Sequence, residues 1–227
     1  DIKNTMQLNV SKHTICRVLR SMNYNYKNVP SKFKLSYKMK QRRFEAAKEF
    51  LISGVQWNNV VFSDEKYFTL AGCDSYYCWI KDNQTPRRIK KVIRSPGIML
   101  WGMILPNGLL SYELLKGKIN SKKYITLIEE KAISIIKLNM PQQFIFQQDN
   151  CPIHVSKEAH EFFSNLNIDI LKWPPYSSDL NFIENIWHEL SSKVYNDGPI
   201  KNLVELQRKI KFAVSIFNET SRQYVAN

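Results

Sequence analysis

The sequence predicts an α/β fold: a mixed five-stranded sheet flanked by helices, preceded by a short helical N-terminal segment. Three observations carry the prediction. Apolar and aromatic runs bounded by turn residues come first, at Val60-Val61-Phe62, at residues 76–80 and at residues 98–105. From residue 121 onward, helical stripes alternate with short apolar runs, and a meander followed by such alternation makes a mixed sheet covered by helices. Finally, 44% hydrophobic and 23% charged residues over 227 positions suffice for a packed core, with no low-complexity tract or internal repeat.

The elements follow in order. Ser11 is a candidate N-cap, and Ile15, Val18, Leu19 and Met22 follow at helical spacing as one buried stripe. Lys12, His13, Arg17 and Arg20 fall largely off that stripe, which suits the second half of a helix-turn-helix or any basic amphipathic helix. Residues 24–36 lack helical period and contain Pro30, so they read as an extended basic linker. Ser36 then caps a helix running to about residue 53. The strands Val60-Val61-Phe62, 76–80 and 98–105 come next, the last turning at Pro106-Asn107-Gly108. A helix over 121–138, a strand ending at Asp149, a helix marked by Val155, Ala159, Phe162, Phe163 and Leu166, and a strand at 168–171 follow. Ile183, Ile186, Trp187, Leu190 and Val194 mark another helix, and the last covers roughly 200–217. The expected organisation is a helix-turn-helix remnant at 1–25, a basic linker and helix at 26–53, and one α/β domain at 54–227.

Charge is unevenly placed. In residues 1–50, eight Lys and four Arg stand against three acidic residues, a net of +9 out of the total +13. Arg87, Arg88, Lys90, Lys91 and Arg94 add five more, and the remainder is nearly neutral. Such concentration points to a polyanionic partner, with nucleic acid the leading class. Lys32, Lys34, Lys38, Lys40, Arg42 and Arg43 along the linker and helix, with Lys12, His13, Arg17, Arg20, Arg87, Arg88, Lys90 and Lys91, are the candidate DNA contacts. Four cysteines at irregular spacing, with no signal peptide or long apolar span, fit a reducing intracellular compartment and no membrane. Cys151, His154 and His160 lack a fourth ligand at a zinc-site spacing.

Three acidic residues stand apart by position. Asp64 and Asp149 each end an apolar strand run, and Glu184 falls in the first turn of a helix. Ionised carboxylates at strand ends are costly to bury unpaired, and together they repel. A divalent cation reverses that cost, because hard Mg²⁺ prefers carboxylate oxygen, water and phosphate. Two such ions about 4 Å apart activate water and stabilise a leaving oxygen. Each residue alone would more often be a cap, turn or surface carboxylate.

With these residues in place, the sequence resembles a Tc1/mariner-type transposase. The matching stretches are Val61-Phe62-Ser63-Asp64-Glu65, Leu100-Trp101-Gly102-Met103, Phe146-Gln147-Gln148-Asp149-Asn150 with His154, and the block from Trp173-Pro174-Pro175-Tyr176 through Asp179-Leu180-Asn181 to Glu184 and Trp187. The 34 residues between Asp149 and Glu184 are the spacing of the family's Tc1-like branch. The resemblance implies an RNase H-like core that cuts transposon ends and joins them to target DNA. It implies that Asp64, Asp149 and Glu184 are the catalytic triad; two Mg²⁺ or Mn²⁺ ions are expected on these carboxylates, with Asp64 shared because it lies on the central first strand. It also implies double-stranded DNA as partner (inverted-repeat ends and TA targets), a homodimer in the synaptic complex and a nuclear location. The segment around 70–97 resembles the family's long excursion between early strands. The alternative is a host-adopted DNA-binding protein, weak or inactive in catalysis.

The sequence departs from that pattern at Ser178 and Phe182, where the family usually has Pro; at 182 the change is expected to loosen the start of the Glu184 helix. Asn150 reads equally as a supporting hydrogen-bond donor or a turn residue. His154 reads equally as a phosphate contact or a helix cap. His188 reads as solvent-facing, Asp179 as a turn residue, and Trp101, Trp173 and Trp187 as packing residues.

Overall fold

The computed structural model describes residues 6–7, 9–28, 35–72, 77–82, 84, 95–140, 143–196 and 200–225. The chain forms two compact units: Asp1–Lys34 with Cys73–Arg94, and Leu35–Gly72 with Ser95–Asn227.

The smaller unit contains α1 (Lys12–Ser21), β1 (Tyr24–Asn28) and β3 (Tyr77–Lys81). Ser11 caps α1 as expected, its Oγ accepting from the Thr14 amide at 3.1 Å. The expected buried stripe is not buried: Val18 and Met22 are about half exposed, and no α1 residue is fully buried. One helix and a two-stranded ribbon offer it too little apolar surface. Two further expectations change here. Residues 24–28 are a strand rather than linker, and β3 pairs antiparallel with β1, from Tyr24↔Lys81 to Asn28↔Tyr77, rather than joining the main sheet. Tyr24 and Tyr26 alternate with Asn25 and Lys27, the period-two signal of a ribbon; Tyr26 packs on Trp79 and Asn25 bonds Asp82 at 2.7 Å.

In the larger unit, α2 (Tyr37–Ser53) starts at Ser36, whose Oγ accepts from Met39, and stops at Gly54, which is left-handed at φ 62°. The sheet comprises β2 (Val60–Thr69), β4 (Gly97–Ile104), β5 (Leu110–Leu115), β6 (Ile145–Gln147) and β7 (Asp169–Ile170), in the order β5-β4-β2-β6-β7. β2 is central, antiparallel to β4 and parallel to β6. The mixed five-stranded sheet is as expected, but its fifth member is β5. That strand follows the turn at Pro106-Asn107-Gly108, where Gly108 takes φ 78° and closes a β4–β5 hairpin.

Helices cover both faces. α3 (Ser121–Leu127), a π-helical stretch (Ile128–Ile133), α4 (Ser134–Asn139) and α5 (Lys157–Asn165) bury Tyr124, Ile128, Ile136 and Phe163 against Val61, Trp101, Met103 and Phe146. On the other face, α6 (Ile183–Val194) and α7 (Leu203–Val225) bury Ile183, Trp187, Leu190, Leu206 and Ile210 against Phe68, Leu100, Ile104 and Leu110. Side chains alternate along a strand. β2 therefore sends Phe62, Asp64 and Phe68 toward α6, and Val61, Ser63 and Glu65 toward α3. Among the described residues, no helix is long and apolar enough to cross a membrane.

Candidate active site

Asp64 sits on central β2, directly opposite Gly102 of β4. Its Oδ2 accepts a 3.0 Å hydrogen bond from the Trp187 indole Nε1. Gly102 makes room for that ring, since a Cβ there would lie 2.6 Å from Trp187 Cη2. Burial, reinforced by the charge of Glu184, pushes the Asp64 pKa up to about 7. Glu184 lies in the first turn of α6, three residues before Trp187 and so on the same side of the helix. Its pKa is raised too, again by burial.

The segment before α6 fixes where Glu184 stands. Asn181 is buried; its Nδ2 donates to the Ser63 carbonyl at 3.2 Å, and its Oδ1 accepts from the Ile183 amide at 3.2 Å. One side chain thus ties the residue before Asp64 to the start of the Glu184 helix. Phe182 takes helical angles (φ −58°, ψ −32°) without being proline, so the helix starts in place despite the departure from the family pattern. Upstream, Arg43 of α2 grips the loop: its guanidinium donates to the Tyr176 carbonyl at 3.1 Å, to Ser177 Oγ at 2.9 Å, and in a fork to Asp179 at 2.6 and 2.7 Å. Arg43 holds Asp179 below the usual carboxylate range.

Asp149 follows β6 and is held by a different ring. His154 Nδ1 lies 2.8 Å from Asp149 Oδ1, and His154 Nε2 lies 3.3 Å from Glu65 Oε1, a charge contact rather than a well-directed bond. Burial opposes a charge on His154, yet the two carboxylates outweigh it and push its pKa up to about 10. The same bond lowers Asp149. Beneath, the Tyr124 ring packs against His154 at a tilt of 37°, with centroids 4.3 Å apart, and its hydroxyl donates to Gln148, whose amide donates to the His154 carbonyl. At 3% exposure, His154 is neither a phosphate contact nor a helix cap. Cys151 completes a candidate ligand cluster with Asp149 and His154, but both imidazole nitrogens already face carboxylates. Asn150 is a donor, to the Trp173 carbonyl at 2.8 Å.

Asp64, Asp149 and Glu184 all line one open cavity of about 490 Å³, walled by Asn150, Cys151 and the loop from Trp173 through Asn181. The profile of the DDE superfamily endonucleases matches residues 59–207, a stretch that contains all three carboxylates. The chain belongs to the DDE superfamily endonucleases. Its relatives include transposases of the Tc1 and Tc3 elements. It is 36% identical to the Tc3 transposase of Caenorhabditis elegans, over 86% of this chain and 60% of that protein. It is 28% identical to the Tcb1 transposase of Caenorhabditis briggsae, over 81% of this chain and 70% of that protein. The chain therefore spans about 60% of the Tc3 relative's length. The fold is RNase H-like. It superposes on the Mos1 transposase in a paired-end complex with the left transposon end at a TM-score of 0.61, with 18% identity, over 99% of this chain and 73% of that one. The Mos1 catalytic domain with Mn, bound to raltegravir, matches at 0.55, with 15% identity, over 86% of this chain and 96% of that one.

In this DDE chain the expected DNA contacts scatter. Lys12, His13, Arg17 and Arg20 form one face of α1 in the smaller unit. Lys38, Lys40 and Arg42 are exposed on α2. Lys32, Lys34, Arg87, Arg88, Lys90 and Lys91 lie outside the described residues. Arg43 is spent on the loop, a role the charge pattern could not reveal. His188 is exposed as expected, and Asp179 does serve the turn. Trp101, Trp173 and Trp187 are buried as expected, but Trp187 also binds Asp64.

Proposed function

We propose that this chain is the catalytic part of a cut-and-paste DNA transposase, cleaving transposon ends and joining them to target DNA with divalent metal ions. The observation that carries the reading is the convergence of Asp64, Asp149 and Glu184 on one open cavity. The residues fit a cation. Asp64 and Glu184 are both raised by burial, and neither has a salt-bridge partner among the described residues. Mg²⁺ or Mn²⁺, two ions, are what this oxygen-rich set would hold, with Asp64, Asp149 and Glu184 supplying the carboxylate ligands. When bound, such ions activate a water or hydroxyl and stabilise the leaving oxygen of a phosphodiester. The protein's own part is positional: Trp187 and His154 each fix one carboxylate, Asn181 sets the third, and the open cavity admits a sugar-phosphate backbone. The resemblance to transposases supports inverted-repeat ends and a second DNA segment as substrates, a homodimer that pairs two ends, and action in the nucleus.

The test is cleavage of end-sequence duplexes in Mg²⁺, in Mn²⁺ and in EDTA, by the parent and by Asp64→Asn, Asp149→Asn and Glu184→Gln. Metal-dependent cutting that disappears in all three variants, with DNA binding retained, is the expected result. Cutting in EDTA, or a variant that cuts like the parent, would overturn the reading.

A further inference from the structure

The geometry points to Trp187 as a positioning residue, whose indole N–H holds one oxygen of Asp64 and so presents the other to the metal ions. This rests on the proposed function and carries it one residue further. A buried tryptophan needs no particular acceptor to serve as packing. Trp101, in the same sheet and fully buried, leaves its Nε1 without a hydrogen-bond partner among the described residues. Trp187, equally buried at 1% exposure, aims its Nε1 at Asp64 Oδ2 from 3.0 Å.

Three features of the chain converge to place that donor. Asp64 and Gly102 are cross-strand partners, so their side-chain positions adjoin on the face toward α6. Gly102 has no side chain, and any Cβ would meet the ring edge at 2.6 Å, so the indole lies in the space beside Asp64 that glycine leaves. Glu184 and Trp187 share one side of α6, so a single helical turn delivers both a carboxylate and the donor that orients the carboxylate facing it. Indole is a donor only and stays uncharged. It can therefore direct Asp64 without competing for a cation. Groups that orient metal ligands in this way typically change metal affinity or activity by roughly 10–100-fold when removed.

The test uses the 227-residue chain and Mn²⁺ as probe, with Mn²⁺ binding read by electron paramagnetic resonance titration alongside end cleavage. Trp187→Phe keeps an apolar ring and removes the donor. Its melting temperature in EDTA reports whether the core survives. The expected result is a folded protein whose Mn²⁺ midpoint rises about tenfold or more, with cleavage partly restored at high metal. Gly102→Ala keeps the indole in the chain but displaces it, and should weaken Mn²⁺ binding in the same direction; it carries the test alone if Trp187→Phe fails to fold. Asp64→Asn in the same titration separates the two readings. If Asp64→Asn loses Mn²⁺ binding and cleavage while the folded variants at 187 and 102 bind Mn²⁺ like the parent, the positioning role is overturned and the active site stands. If Asp64→Asn binds and cleaves normally, the proposed function itself falls, and this inference with it.

Discussion

Replacing Asp64 with Asn should stabilise the metal-free protein and destabilise the metal-loaded one. Burial and the neighbouring Glu184 raise the Asp64 pKa from 3.8 to about 7. An acid with a raised folded pKa binds its proton more tightly in the folded state, so its contribution to stability falls as pH rises from about 4 to 7. A rise of about three pH units, at about 1.4 kcal/mol per unit, gives a penalty of roughly 4 kcal/mol above pH 7. Water reaching a partly open cavity reduces this to about 2–4 kcal/mol. Asn removes the charge, and its carbonyl can still accept from Trp187. For a chain of this size, the gain corresponds to a melting temperature higher by roughly 4–16 °C at pH 8 in EDTA. At pH 5 most of the penalty has gone from the parent, so the gap should shrink to a few degrees. Added Mg²⁺ should reverse the order once it is in large excess, because an ion at a thousand times its Kd adds about 4.1 kcal/mol to the parent and little to the variant. Thermal unfolding followed by circular dichroism at both pH values, with and without metal, decides the matter. A variant no more stable than its parent at pH 8 in EDTA, or a gap that persists at pH 5, refutes the reasoning.

Other perturbations test other parts of the site. Arg43→Ala should lower stability by only about 1 kcal/mol, since Asp179 is largely exposed, but should loosen the cavity wall and reduce cleavage more than DNA binding; reduced binding with normal cleavage of bound DNA would make Arg43 a phosphate contact instead. His154, with its pKa raised to about 10, contributes stability that is fully present below pH 6.5 and disappears as pH rises toward 10. The parent's melting temperature should therefore decline over that window, and the decline should be largely absent in His154→Gln. Substituting Gln for Lys12, Arg17 and Arg20 should flatten the salt dependence of duplex binding, by about 0.9 in the log–log slope for each phosphate that is no longer neutralised. Glu184→Gln should leave that slope unchanged.

The strand and helix positions that carry the three carboxylates are legible in the sequence because each stands at the boundary of a strong periodic segment. Apolar runs end at Asp64 and Asp149, and a helical stripe begins beside Glu184. β5 is harder to read although its turn is plain: Leu110–Leu115 has only one fully buried residue, so its pattern is faint, and the Asn107-Gly108 hairpin signal is the better guide. The pairing of β1 with β3 spans about fifty residues, and no local pattern specifies a partner so distant. The same limit hides the supports of the site. Arg43 looks like one basic residue among others because its partners lie more than 130 positions away. His154 reads as phosphate contact or cap, and Trp187 as packing, because Glu65 and Asp64 come near only through the sheet.

β3 is borrowed: the chain leaves the larger unit after Gly72, forms a strand for the smaller one, and returns at Ser95. No single truncation point can therefore isolate the catalytic unit cleanly. A protein begun at residue 35 would keep β3 and discard β1, leaving a bare strand edge inviting intermolecular pairing. The two ends of the detour are already neighbours. Thr69 pairs with Gly97, Leu70 donates to the Pro96 carbonyl at 2.9 Å, and Ala71 donates to Ser95 Oγ at 3.1 Å. Topologically the detour is an insertion at the tip of the β2–β4 hairpin, a position where chains accept added or removed sequence. A minimal core would begin at residue 35 and join Gly72 to Ser95 through a short turn, leaving the strand that carries Asp64 in its original register.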